Sequence, residues 1–448
     1  MLTDYNILLL FSMKKSRLLV AFILLSSFHG LYAQLVVSNG ALITINSGAL
    51  VHSNGGVDLT NATNLVNNGT LVVTKNSSLT NAGTFSLLSA SQVAGNGVYS
   101  IEQNWVNNAQ FNADLSEVRL YGNTEQLITS TNGTITEFHR LVLTGTGVGV
   151  DRRKSLLNVG ARISLNGQLN LNNRELYGNT NNLVVLNPSS TAIVNATSFG
   201  NEGFISHLMP ATIQWSTNSG NNYIFPVGSS DGVLRYRPIS LKPSSTLSSI
   251  YSVRMNNYSA DLDAYYESLK EPSIESVNTA FYHSIDRLAG ETNASLAIAF
   301  NPATDGDFTG IAHWSVMGGL WQDIANTAES PFGGYKSFSK SNWSFNNDGD
   351  PYILTNTSEF IEVPNVFTPN GDGTNDFYFI NSKGMIELSI TIVNRWGEVV
   401  YKSNDIEGKW DGTSKGNLCA DGVYFYILNA KSKTQEYQKE GHITLNAN

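Results

Sequence analysis

The sequence predicts an all-β protein, on three observations. Only 14% of the 448 residues are charged, against roughly 25% in ordinary globular chains. Polarity comes instead from Asn, Ser, Thr and Gly, residues that favour turns and uncharged strand surfaces. Short β-branched runs also recur on either side of Asn/Ser-Gly turns, as in "ITINSGALV", "LVNNGTLVV", "LTNAGTFSLL" and "GNGVYSI". With 41% apolar residues the chain can fold, and its length calls for more than one domain.

Residues 1–33 read as a signal peptide whose true start is Met13. Lys14, Lys15 and Arg17 precede an apolar run from Leu18 to Phe28, and "LYA-Q" supplies a small-residue cleavage site after Ala33. The run is shorter than the roughly 20 residues needed to cross a bilayer core. The mature chain is therefore expected to be exported and soluble. One cysteine, Cys419, allows no intrachain disulfide, so stability has to come from β packing. Cys419 itself reads as a small apolar residue.

Residues 34–195 carry the degenerate repeat and predict a β-solenoid-like region, in which each rung buries its neighbour's apolar face, with a run of hairpins in a sandwich as the alternative. Residues 196–355 hold longer alternating strands, such as "NYIFPVGSSDGVLRYRPISL", and predict a β-sandwich. Within it, Asp261 is placed to cap a helical turn with Leu262, Tyr265, Tyr266 and Leu269 on one face. Residues 356–363 read as a linker and 364–448 as a final compact domain.

The net charge of −9 includes no basic run, which excludes a nucleic-acid partner. The His residues are scattered, and there is no HExxH, CxxC or GxxxxGK pattern. "GTGVGV" at 145–150 lacks a strand–turn–helix context for a dinucleotide. No catalytic residue is assigned, and the chain is expected not to be an enzyme. Three acidic-Gly loops, "NPATDGDFTG" (301–310), "NNDGDP" (346–351) and "NGDGTND" (370–376), raise calcium as the one candidate cofactor, with Asp372 and Asp376 as candidate ligands. The same residue types are also ordinary turn formers.

Residues 361–448 contain five blocks in order: "VPNVFTPNGDGTND", "IVNRWGEVVY", "WDG", "ADGVYFY" and "GHITL". This region resembles the gliding-motility-associated C-terminal domain, the type B sorting domain of type IX secretion cargo in Bacteroidetes. The residues that carry the likeness are Pro364, Asn365, Phe367, Thr368, Pro369, Asn370, Gly371, Asp372, Gly373, Asn375 and Asp376 in the first block. Asn394, Arg395, Trp396 and Gly397 follow in the second, then Trp410, Asp411 and Gly412, then Gly422 and Tyr424. The chain differs at its end, "NAN", where such domains often finish with a basic or apolar residue.

The resemblance implies an Ig-like sandwich, passage through the periplasm and the type IX machinery, and an outer-membrane partner of the PorP/SprF kind. It places the protein on the outer cell surface. The residue pattern agrees with a sandwich. Ile386, Leu388, Ile390 and Ile392 alternate with polar neighbours, "VYFYIL" reads as a strand buried on both faces, and Trp396 and Trp410 are sized to fill a core. Asp372, Asn375, Asp376 and Arg395 read as a hydrogen-bonded turn with its ion pair. For the preceding region the expectation is an adhesin-like or structural passenger, with a polysaccharide or matrix ligand. The alternatives are a carbohydrate-binding module using Trp314, Trp321 and Trp343, and a surface glycoside hydrolase with an unrecognised carboxylate pair.

Overall fold

The computed structural model describes residues 10–11, 34–76, 83–196, 198–290, 293–345, 351–432 and 435–447. The cleavage site at Ala33, most of the 1–33 segment and the acidic part of the "NNDGDP" loop lie outside the described residues. Nearly all the regular structure is strand, as the sequence predicts. The chain divides into two compact units, the first being residues 1–270 with 277–354 and the second residues 271–276 with 355–448.

The first part of the first unit is a stack of parallel strands in three sheets. A four-stranded sheet holds Leu42–Ile45, Asn64–Asn67, Gln92–Ala94 and Gln110–Phe111. A nine-stranded sheet runs from Leu10–Phe11 through Leu35–Val37, Val57–Leu59, Phe85–Leu87 and Trp105–Asn107 to Phe204–Ser206. The third sheet has fifteen strands, including Thr70–Thr74, Val98–Ile101, Glu117–Leu120, Thr136–Leu143 and Ala161–Asn172.

In this third sheet each strand lies beside the strand one repeat later. Leu71 faces Tyr99, Tyr99 faces Val118, and Val118 faces Leu141, all in parallel register. Because side chains alternate with period two, these residues all point into the core, and all are buried. Large rings fill it: Trp105 stacks on Phe85 at 4.8 Å and meets Phe111 edge-on at 5.0 Å. Asn67 closes one turn from inside, donating to Val98 O and accepting from Gly69 N–H at 3.1 Å each.

The third sheet continues across position 195. After Ile213–Thr217 it turns antiparallel, with Ser249–Asn256 and then Tyr282–Ala289. A second, five-stranded antiparallel sheet contains Ile239–Pro243, Ala294–Phe300 and Tyr335–Trp343. Leu241, Ile298 and Phe338 from this sheet share one buried cluster with Tyr251, Val253 and Ile285. The described residues on either side of 195 thus belong to one core.

Two sequence expectations fail here. The turn after Ser259 is a single 3-10 turn, Ala260–Asp263, capped by the Ser259 hydroxyl and stopped by Ala264 in the left-handed region. Asp261 is not the cap, and Leu262 and Tyr266 stay exposed, while Tyr265 packs on Trp314 and Tyr282. Ala264, at φ 63°, ends the turn well before Pro272. Trp314 and Trp321 are also core residues, set edge-on at 5.4 Å, and the Trp343 indole N–H bonds Tyr352 OH at 2.9 Å. They form no exposed coplanar platform for a sugar ring, so the aromatic basis of the carbohydrate-module alternative is removed.

A polar layer runs through the same core. The Asp305 side chain is completely buried and paired with Arg237 through Nη2–Oδ1 at 2.6 Å and a second bond from Nε. The "NPATDGDFTG" loop is therefore anchored by an ion pair, with Asn301 accepting from Ala303 N–H as its cap. Glu175 is paired with Arg153 and accepts from Ser206 OH at 2.6 Å. Lys154 is fully buried, and its ammonium donates to Gly122 O at 2.8 Å and Gln126 Oε1 at 2.6 Å. With no carboxylate to offset desolvation, burial pushes its pKa down from 10.5 to about 7, and Arg174 adds to the shift.

The lowered Lys154 pKa gives a signed pH dependence. Above about pH 7 the folded chain has released this proton, whereas the unfolded chain keeps it until about pH 10. The unfolded state binds more protons across that window, so the Lys154 contribution to stability rises with pH. Lys154→Met is expected to flatten this rise relative to wild type, as read by thermal unfolding at a series of pH values. A slope unchanged by the substitution would refute the assignment.

Candidate functional site

The second unit is built on a five-stranded sheet in the order Val366–Phe367, Glu436–Leu445, Gly422–Ser432, Met385–Val393 and Val399–Ser403. The first pair is parallel and the others antiparallel. Just past the Glu436–Leu445 strand, Asn446 N–H reaches Phe367 O, and Ala447 N–H bonds Asp421 Oδ1 at 2.8 Å.

Trp410 anchors this core at 1% exposure. Phe367 lies 5.1 Å and Tyr424 5.5 Å from its ring, and its indole N–H donates to Thr413 O at 2.8 Å. The neighbouring residues are explained by the same packing. A Cβ on Gly412 would stand 2.8 Å from Pro369 Cγ, so "WDG" and "TPNG" meet only because that position is glycine. Asp411 accepts from the Thr413 N–H and OH at 2.9 and 2.8 Å, which holds its carboxyl below the usual range. Tyr424 OH bonds Ala420 O at 2.7 Å, and Tyr378 OH bonds Pro364 O at 2.9 Å. Cys419 packs half-buried against this core and burial raises its thiol pKa.

The "NGDGTND" loop is a self-bonded turn. Asp376 Oδ1 accepts from Gly371 N–H at 2.6 Å and Oδ2 from Gly373 N–H at 2.8 Å. Asp372 Oδ1 accepts from Thr374 N–H at 2.7 Å, while Asn370 accepts from Asp372 N–H at 3.1 Å. Gly371, Gly373 and Asn375 all have positive φ, at 79°, 87° and 55°. Glycine is required at the first two because most side chains resist that conformation, and Asn is among the few that tolerate it. The candidate calcium ligands thus have backbone amides as their partners. Among the described residues, no group of three or more His, Cys, Asp or Glu is placed to hold a metal ion.

Arg395 is not the ion-pair partner of this turn. It sits in the exposed "NRWGE" hairpin, with its guanidinium beside Gly422, where an added Cβ would stand 3.2 Å from Nη2. Asn394 builds that hairpin by accepting from Trp396 N–H and Glu398 N–H at 3.0 Å each, and Gly397 takes positive φ at its tip. Trp396 is consequently 85% exposed, so it fills no core.

Two other expectations change in this unit. A register shift between Met385 and Glu387 rotates Ile386 outward and puts Met385 in the core instead. The strand "VYFYIL" is buried on one face only: Tyr424 and Leu428 are covered, while Val423, Phe425 and Ile427 are 42%, 48% and 45% exposed. An apolar sequence on both faces signals a central strand, but it does not show that both faces are covered. The motif residues therefore sort into two groups. Pro364, Phe367, Pro369, Trp410, Gly412 and Tyr424 make the core and its turns, while Arg395 and Trp396 form an exposed tip beside an open apolar face.

Asp376→Ala is expected to weaken the unit by about 1–3 kcal/mol, because two amide donors lose a charged acceptor. Hydrogen exchange of the C-terminal amides measures this. Added calcium or a chelator should leave the same exchange pattern unchanged.

Residues 361–445 match the family model of the CHU_C type IX secretion signal domain. No curated protein matches the chain, and no solved structure does. The C-terminal segment is thus a type IX secretion signal domain, which marks the protein for export by that machinery.

Proposed function

We propose that this is a cell-surface protein with a non-catalytic passenger, adhesive or structural in role, delivered by its C-terminal signal domain. The observation that carries the reading is the signal-domain match over 361–445, which falls on a separate compact unit beginning near residue 355. Export by the type IX route supports an outer-surface destination. The leader 1–33, cleaved after Ala33, would bring the chain to the periplasm, and an outer-membrane protein of the PorP/SprF kind would receive it.

The passenger's architecture supports binding or spacing more than chemistry. Stacked parallel strands present ladders of side chains, which supports the solenoid-like reading of this region. The side chains of Glu175 and Asp305 are both fully buried and are matched to Arg153 and Arg237, as in core ion pairs. This arrangement favours the passenger over the hydrolase alternative.

The exposed tip and open face separate recognition from folding. Trp396→Ala should alter stability by less than about 0.5 kcal/mol, whereas Trp410→Ala should cost about 3–5 kcal/mol. In a host with the type IX machinery, Trp396→Ala is expected to accumulate folded protein in the periplasm. Deleting 361–448 should abolish surface delivery altogether. Surface delivery of the deletion would sink the export reading, and normal delivery of Trp396→Ala would remove the tip from recognition.

A further inference from the structure

We propose that the outward face of the long parallel sheet in the first unit carries a binding furrow for a carboxylate-bearing linear polysaccharide, a polyuronate. This deepens the adhesive reading by naming a ligand class. It rests on residues with no part in export.

The furrow follows from strand register. Ser100 lies beside Arg119, Arg119 beside Val142, and Val142 beside Asn170, forming one row across four adjacent strands. In the next row Glu117 lies beside Arg140. These side chains line a depression of about 590 Å³, within the roughly 300–1,000 Å³ of small-ligand sites.

Its charges are arranged rather than scattered. Glu117 has a side chain only 10% exposed, and it pairs with both arginines at once: Oε1 accepts from Arg119 Nε, and Arg140 Nη1 lies 2.9 Å from Oε2. The arginine side chains themselves are 50% and 46% exposed. Each keeps guanidinium donors that have no protein partner among the described residues. Two cations on one carboxylate leave a local charge of +1 on a protein whose net charge is −9. An anion is therefore drawn to this place and not to the surface at large. A guanidinium fork matches a carboxylate in a bidentate fashion.

The rest of the lining selects for a sugar. Val72 and Val142 give an apolar floor, and Tyr121 adds a ring at its edge. Ser100 and Asn170 supply neutral hydrogen-bonding groups suited to hydroxyls. The strands beneath are paired on both sides, so a peptide cannot join by strand addition. A chain lying across the sheet meets side chains repeated about every 4.8 Å, the spacing of neighbouring strands.

The test uses the purified full-length protein on immobilised polygalacturonate and alginate, with dextran, polyphosphate and polyglutamate as comparisons. The expected result is retention on a polyuronate at low ionic strength and its loss at high salt. Arg119→Ser/Arg140→Ser should bind at least about tenfold more weakly, and Glu117→Gln should weaken binding by releasing both arginines from their fixed positions. Circular dichroism confirms folding, which half-exposed arginines should not disturb. No retention of folded protein on either polyuronate would overturn the proposal, as would undiminished binding by the double variant. Equal retention on polyphosphate or polyglutamate would also overturn it, by showing charge attraction without sugar recognition. Binding is read on purified protein, so failure here leaves the export reading standing.

Discussion

Parallel register is the constraint on which the first unit depends. Each strand of the long sheet takes its backbone partners from the strands one repeat before and after it, as with Leu71, Tyr99 and Val118. A single register setting fixes two things together. It lines Leu71, Tyr99, Val118 and Leu141 along the core, and it lines Ser100, Arg119, Val142 and Asn170 along the outside. A slip of one residue would exchange the two sets, burying Arg119 and exposing Tyr99. The core therefore enforces the surface: any face this unit offers is set by the packing behind it.

The chain's low charge content gives its few ionic groups clear roles. Arg237 with Asp305, and Arg153 with Glu175, lie inside the fold, where removing one partner strands the other. Lys154 is different, since its partners are a carbonyl and an amide and it sheds its proton near neutrality. Glu117 is a third case, a sunken carboxylate that orients two half-exposed cations at the surface. Burial and partner choice distinguish these groups, and residue type does not.

The C-terminal unit shows the same division on a smaller scale. Its motif contains two tryptophans of equal size and similar setting in the sequence, yet Trp410 is core and Trp396 is a hairpin tip. The difference comes from the turn that Asn394 organises, which carries Trp396 beyond the last strand pair. Asp372 and Asp376 resemble metal ligands in spacing, but the positive-φ residues beside them bring amides within reach of both carboxylates. The alternation Ile386, Leu388, Ile390, Ile392 holds for its last three members and fails at the first, where the register shift intervenes.

The sequence by itself determined the β class, the C-terminal signal domain with its ordered motif blocks, and the turn chemistry of its glycines. Each of these is written locally, in side-chain alternation, in Asn-Gly turns and in contiguous motifs. Tertiary structure decided the rest: one continuous core across position 195, burial of Trp314 and Trp321, the outward faces of Val423, Phe425 and Ile427, and the meeting of Glu117 with Arg119 and Arg140. Arg140 and Glu117 are brought together by parallel pairing of separate strands. Such contacts depend on which strands pair and in what register, a property of the whole stack that no single segment encodes.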